Sequence, residues 1–222
     1  MKRMEKRLDL KNVTLICFDG RPEDKNRTSR YRPILEYITS HVDFYEIKIF
    51  LNFDFVFDGV TVEKIDSTSI IEYSNFCIKK LNSHVSSDYC LIFQDDGFIL
   101  NPDLWDNEFF NYDYIGAPWP LYIGWPKEGL QVGNGGFSLR SKKFLELSSR
   151  LSETTTNEDT YLIGQNRGYM ENNGVKIAPL DIARKFAIEF HLDKDHTIES
   201  CFGFHGKSQL EGALKYIKEK KI

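Results

Sequence analysis

The sequence predicts an α/β fold in which a mixed, mostly parallel sheet is flanked by helices. Two observations carry this expectation. Short β-branched and aromatic runs, NVTLICF at 12–18 and YCLIF at 89–93, alternate with stretches whose apolar residues recur at helical spacing. Polar loops follow those runs at once, which is the pattern of strands feeding crossover helices. The 222 residues, 41% hydrophobic and 28% charged, suffice for a sizeable core.

The elements follow in order. Residues 12–18 read as a buried strand that enters a loop at Asp19 and Gly20. Pro33 then opens a helix in which Ile34, Leu35, Ile38 and Val42 share a face, since proline suits a first helical turn. Residues 44–50 alternate as a half-exposed strand, 60–65 form a short one, and 69–81 place Ile70, Tyr73, Phe76, Cys77 and Leu81 at helical recurrence. The run at 89–93 is the most apolar strand, and Gln94-Asp95-Asp96-Gly97 follows it directly. Beyond it come a stretch at 112–116, a Pro/Trp/Gly-rich loop to Gly129, glycines at 133, 135 and 136 before a strand, and an amphipathic stretch at 142–151. Thr156 or Asn157 is placed to cap a helix that ends near Asn172-Asn173-Gly174, and 175–178 suggest one more strand. No repeat or linker interrupts the chain. It reads as a single domain over 1–222, with a core over about 12–206 and a polar, basic tail at 207–222.

Composition excludes several classes of function. With 29 basic and 33 acidic residues the net charge is −4, so no global basic field exists to hold nucleic acid by counterion release. The charged amino end lacks the apolar run of a secretory signal, and nowhere do 18 apolar residues follow one another, so no transmembrane segment is expected. Cys17, Cys77, Cys90 and Cys201 have no C-x-x-C spacing, which suits buried thiols in a reducing, cytoplasmic setting. Lys215, Lys218, Lys220 and Lys221 form a basic end that either solubilises the tail or touches anionic lipid at the inner face of a membrane.

Several constellations could carry chemistry. In an extended strand Gln94 and Asp96 share a face and Asp95 points away, so a carboxylate at 96 could hold a divalent cation bridging two phosphates. Plain turn chemistry is the alternative. The glycines around Asn134 either let backbone approach a ligand or make a tight turn, and the segment lacks both the Lys-Ser/Thr of a phosphate-binding loop and the dinucleotide fingerprint. Glu158 and Asp159 sit at a helix start, where the helix dipole favours carboxylates whatever their task; a general base is the functional alternative for Asp159. His205, between small and aromatic residues, is a competent metal ligand or an ordinary core histidine. Trp119 and Trp125, on a proline-stiffened loop, offer flat faces for sugar rings or for the loop's own packing. Arg21, Arg27 and Arg30 could meet phosphates in bidentate fashion or be solvated in a polar loop.

Taken together, LIFQDDGFILNPDLW (91–105), YDYIGAPW (112–119), VGNGGFSLRS (132–141), NEDTYL (157–162), VKIAPLDIARKFAIE (175–189) and FGFHG (202–206) resemble a bacterial and fungal family of glycosyltransferase-like domains of unknown substrate. That family in turn resembles metal-dependent GT-A glycosyltransferases. The resemblance implies a GT-A-like nucleotide-binding sheet, a nucleotide-diphospho-sugar donor and a divalent metal, manganese or magnesium. It implies Asp96 and His205 as metal ligands and Asp159 as the base of an inverting transfer. Asp19, Arg21, Arg30, Gln94 and Asp95 become the donor-binding candidates, while Trp119, Trp125, Asn134, Gly135, Gly136 and Glu158 line the sugar and acceptor. Gln94 departs from the first aspartate of the D-x-D motif. The expected acceptor is a glycan or glycolipid of surface polysaccharide synthesis. A nucleotidyltransferase and a non-catalytic carbohydrate-binding module are the rival readings; the first would need more glycine and basic residues after the first strand than Gly20 and Arg21.

Overall fold

A computed structural model describes residues 7–21, 25–66, 69–124 and 126–220. Trp125, Lys221 and the first six residues lie outside that range. Strand β1 (Leu8–Asp19) leads through α1 (Lys25–His41) to β2 (Val42–Leu51) and β3 (Thr61–Lys64). Helix α2 (Ile70–Asn75) continues through a π-helical turn (Phe76–Lys80) into α3 (Leu81–His84), and β4 (Tyr89–Ile92) follows. Then come β5 (Tyr114–Gly116), β6 (Ser138–Ser141), α4 (Lys142–Arg150), a second π-helical segment (Thr160–Gln165) and α5 (Arg167–Asn172). Helix α6 (Leu180–Phe186), β7 (Ala187–Ile188), β8 (Gly203–Phe204) and α7 (Lys207–Lys220) complete the described chain.

Six strands form one sheet in the order β3-β2-β1-β4-β6-β5, and β6 alone runs antiparallel to its neighbours β4 and β5. Strands β7 and β8 make a separate parallel pair. Both faces of β1 are buried, as expected for a central parallel strand: Leu15 and Cys17 join the core beneath α1, while Ile16 and Phe18 join the core beneath α2 and α4. The chain builds outward from β1 through β2 to β3 and then returns to place β4 on the other flank of β1. That reversal opens a crevice at the carboxyl ends of β1 and β4, where open α/β sheets bind ligands.

Three sequence expectations need revision. Helix α1 starts at Lys25, so Pro33 lies inside it rather than at its first turn. The early half was hidden because its buried face carries Arg27 and Tyr31, whose polar ends meet a carboxylate, in line with apolar Ile34 and Ile38. The stretch at 175–178 is reduced to one bridge, Ile177 to Tyr114, because Pro179 at once begins the turn into α6. Residues 207–220, expected as part of a tail, form α7, which places Leu210, Ala213, Leu214 and Ile217 on one stripe against the core. Interleaved lysines masked that stripe. Tyr216 donates to Asn101 Oδ1 at 2.5 Å and ties α7 to the loop after β4.

All four cysteines are buried free thiols, and burial pushes their pKa values up, Cys90 to about 12 and Cys201 to about 11. Among the described residues no helix is long and apolar enough to cross a membrane.

Candidate functional site

Strand β1 ends on Asp19, and β4 passes through Phe93, whose N–H meets Ile16 O at 2.9 Å, into the Gln94–Gly97 turn. Paired backbone bonds between Gln94 and Gly97, at 2.7 and 3.1 Å, close that turn. Gly97 is required there, since a Cβ would lie 2.7 Å from the His205 ring and 3.2 Å from the Phe204 carbonyl. The turn therefore sends its side chains two ways. Asp95 faces α1 and accepts from Arg21 and from Arg30, whose Nε lies at 3.1 Å. Gln94 faces His205, with Oε1 at 3.2 Å from Nε2.

Asp19 and Asp95 are buried behind arginines. Asp19 accepts from Arg21 Nε at 2.9 Å, from Arg27, and from the Tyr31 hydroxyl at 2.6 Å. Burial alone would push its carboxyl up, but the Arg21 hydrogen bond and charge, with Tyr31 and Arg27, hold it below the usual aspartate value. Arg21 is the open member of the cluster, with 43% of its side chain exposed. It lines a crevice of about 140 Å³ together with Gly20, Ser69, Tyr73 and Gln94. Of the five donor-binding candidates, Asp19, Arg21 and Gln94 line the crevice, while Asp95 lies behind it and is held by Arg21 and Arg30.

His205 is delivered by β8, next to β7, and its backbone N–H bonds Ile188 O at 2.8 Å. Its Nδ1 lies 3.0 Å from Asn134 Nδ2 and 3.4 Å from Glu189 Oε1, while Asn134 Nδ2 donates to Glu189 Oε2 at 2.5 Å. Burial disfavours the charged ring, but the hydrogen bond and charge of Glu189, with Asp96 and Asp159 nearby, raise its pKa above the ordinary imidazole value. Gly136 makes room for this ring: a Cβ there would fall 2.0 Å from Nε2. Glu189 was not singled out from the sequence. Its only signal was its place as the last residue of the 175–189 block.

The glycine segment joins this group to Asp159. Gly135 N–H points to Asp159 Oδ2 at 3.3 Å, and Thr160 N–H donates to Oδ1 at 2.6 Å. Burial raises the Asp159 pKa above the usual aspartate range, against the opposing pull of those two N–H groups and of Arg140 and His205. The helical stretch starts at Glu158, with Asn157 O accepting the Tyr161 N–H at 2.9 Å, so Asp159 lies in its first turn and leads into the π-helical segment. Glu158 turns inward instead, and its Oε1 accepts from the fully buried Arg140 at 2.7 Å. A Cβ on Gly135 would meet that oxygen at 1.9 Å, so glycine is the residue that fits over the ion pair. Arg140 was given no role from the sequence, since in the short strand Ser138–Ser141 it stands among serines and its full burial leaves no local sign. Trp119 lies flat against Gly133, where a Cβ would fall 2.0 Å from its ring, and is 4% exposed.

Among the described residues no group of three or more His, Cys, Asp and Glu side chains is placed to hold a metal ion. A mixed set comes nearer: the Gln94 amide oxygen, the Asp96 carboxylate and His205 Nε2. Asp96 Oδ1 is buried without a hydrogen-bond partner, and the charge of Asp96 acts on the His205 ring. Glu189 beside Nδ1 stands where an outer-sphere partner would orient the imidazole if Nε2 held a metal. One carboxylate, one imidazole and one amide oxygen fit a divalent ion that keeps positions open for substrate oxygens.

Residues 59–205, about two thirds of the chain, match the family described as "Protein of unknown function (DUF5672)". The chain belongs to the DUF5672 family. Gln94, Asp96, Asn134, Asp159, Glu189 and His205 all fall inside the DUF5672 match, whereas Asp19, Arg21, Arg30 and α7 precede or follow it. No curated protein matches the sequence. Among solved structures, the DUF5672 chain is similar to the "Crystal structure of a glycosyltransferase involved in the glycosylation of the major capsid of PBCV-1". The TM-score is 0.53 at 12% identity, over 94% of this chain and 98% of that one. At that identity the likeness is one of fold. A looser match, to A197 from STIV, has a TM-score of 0.43 at 12% identity over 70% of this chain and 78% of that one, and carries no argument.

Proposed function

We propose that this DUF5672 protein is a glycosyltransferase that takes a nucleotide-diphospho-sugar and transfers the sugar, with inversion, to a hydroxyl of a glycan or glycolipid. One observation carries the reading: Gln94 and Asp96 after β4, His205 after β8 and the Gly135–Asp159 pair gather around the His205 ring, across 111 residues of sequence between Gln94 and His205, and Gln94 also lines the crevice beside β1. The glycosyltransferase-like fold supports it.

In this mechanism Arg21, held by Asp19 and Asp95, meets the donor diphosphate. Asp159 accepts the proton of the acceptor hydroxyl as its oxygen attacks the anomeric carbon. The bond from that carbon to the phosphate oxygen breaks, and its electron pair leaves with the nucleoside diphosphate. The glycines at 135 and 136 let backbone approach the sugar closely. Held by Gln94, Asp96 and His205, a divalent ion, manganese or magnesium, would offset the charge on the departing diphosphate.

A thermal-shift panel of nucleotide sugars and nucleoside triphosphates, with and without manganese, tests this. Nucleotide sugars should raise the Tm in a metal-dependent way, and Asp96→Ala should abolish that shift. Asp159→Asn should keep the shift and lose transfer. A response to triphosphates alone would favour nucleotidyl transfer, and sugar binding indifferent to nucleotide and metal would favour a carbohydrate-binding module.

A further inference from the structure

We propose that Ser138, the first residue of β6, is a positioning residue: together with Arg140 it clamps Gly135 so that the Gly135 N–H stays on the Asp159 carboxylate. The clamp is argued from geometry alone, while its part in transfer rests on the reading of Asp159 as the base. Ser138 is fully buried, where a hydroxyl is stable only if it is hydrogen-bonded. Its hydroxyl is used twice, with Arg140 Nε at 3.0 Å and Gly135 O at 2.8 Å. A guanidinium only donates and a carbonyl only accepts, so the direction is fixed: Arg140 donates to Ser138, and Ser138 donates to Gly135. Arg140 Nη2 reaches the same carbonyl at 3.3 Å and is itself held by Glu158 Oε1 at 2.7 Å. The hydroxyl also sits on a rigid support, since Ser138 pairs with Ile92 of β4 on one side and Gly116 of β5 on the other.

Gly135 has no side chain with which to hold itself, and Glu158 Oε1 closes the space where one would lie. Hydrogen bonds pin the segment instead. The Tyr114 hydroxyl meets Gly133 O at 2.6 Å and Asn134 O at 3.1 Å, Gly136 N–H donates to Asn134 Oδ1 at 3.2 Å, and Gly135 O is held by Ser138 and Arg140. Gly135 N–H is thereby aimed at Asp159 Oδ2 at 3.3 Å, while Thr160 N–H holds Oδ1 at 2.6 Å. One N–H on each oxygen sets the plane of the carboxylate and leaves each oxygen a lone pair for an incoming proton. Thr160 is adjacent to Asp159 in the chain, so its N–H is supplied locally. Gly135 stands 24 residues away, and its N–H is in place only because the clamp keeps it there. The charged groups that face Asp159 are Glu158, Arg140 and His205, and removing the Ser138 hydroxyl changes none of those charges.

The test compares the full native chain with Ser138→Ala and Ser138→Cys, which remove or weaken the donor at nearly constant volume. In NMR spectra of either variant the Gly135 amide should shift and exchange faster with solvent. The Asp159 carboxyl should titrate at higher pH than in the native chain, because an N–H that favours its charged form is loosened. In transfer, kcat should fall about tenfold or more with the donor KM unchanged, and the acid limb of the pH profile should move up with the carboxyl. A merely structural serine would lower the Tm and move neither the Gly135 amide nor the Asp159 midpoint, and that result in the variants overturns the proposal. Both NMR readouts need no turnover, so the outcomes separate. A moved midpoint in a chain that transfers no sugar would keep the clamp and sink the transferase reading, whereas transfer lost in Asp159→Asn but native in kcat and pH profile in Ser138→Ala would do the reverse.

Discussion

At the residue scale, neighbouring carboxylates do different work because the backbone turns them into different surroundings. Glu158 and Asp159 are adjacent, yet Glu158 enters a buried ion pair with Arg140 and Asp159 meets the backbone N–H groups of Gly135 and Thr160. A base must be ionised, and burial raises the Asp159 pKa, so transfer should fall as pH drops through a midpoint above the ordinary aspartate value. A kcat profile placing that midpoint below the ordinary aspartate value would contradict the assignment. Arg140→Met should leave Glu158 buried without its cation and cost about 3–5 kcal/mol in urea unfolding. The double variant Arg140→Met/Glu158→Leu should recover part of that loss, which a purely volumetric effect would not allow. The alternation rule placed Asp95 apart from Gln94 and Asp96 from spacing alone, but that Asp95 meets two arginines could not be read, because Arg30 comes from a helix whose start the sequence concealed.

At the scale of elements, amphipathic periodicity was legible wherever the buried stripe was aliphatic and obscured wherever it was interrupted by cations. The strands β1, β2 and β4 and the helix α4 were expected close to where they lie. Helix α1 was half missed because buried Arg27 satisfies a carboxylate, and α7 was read as tail because lysines alternate with its apolar stripe. Ile217 is buried in the main core, so Ile217→Ala should cost about 2–5 kcal/mol, measured as a lower urea midpoint with an unchanged slope. A tail that contributes nothing to the fold would show no change.

At the scale of the whole molecule, the cluster of Asp19, Asp95, Arg21, Arg27 and Arg30 fastens the ends of β1 and β4 to α1. The folded-state pKa of Asp19 is lowered, so its contribution to stability is present above the unfolded aspartate value of about 4 and is lost as pH falls through the lower, folded value. The Tm difference between the native chain and Asp19→Asn should therefore shrink in acid. A difference that grows as pH falls would reverse the sign and remove Asp19 from this role. By itself the sequence determined the α/β class, the parallel core strands and most of the polar residues that end them, because those depend on short-range periodicity and on turn chemistry. Only the tertiary structure decided which of those residues meet. It set Glu189 beside His205 and Arg140 beneath Gly135, since long-range neighbours are chosen by strand order and packing, which leave no mark in local spacing.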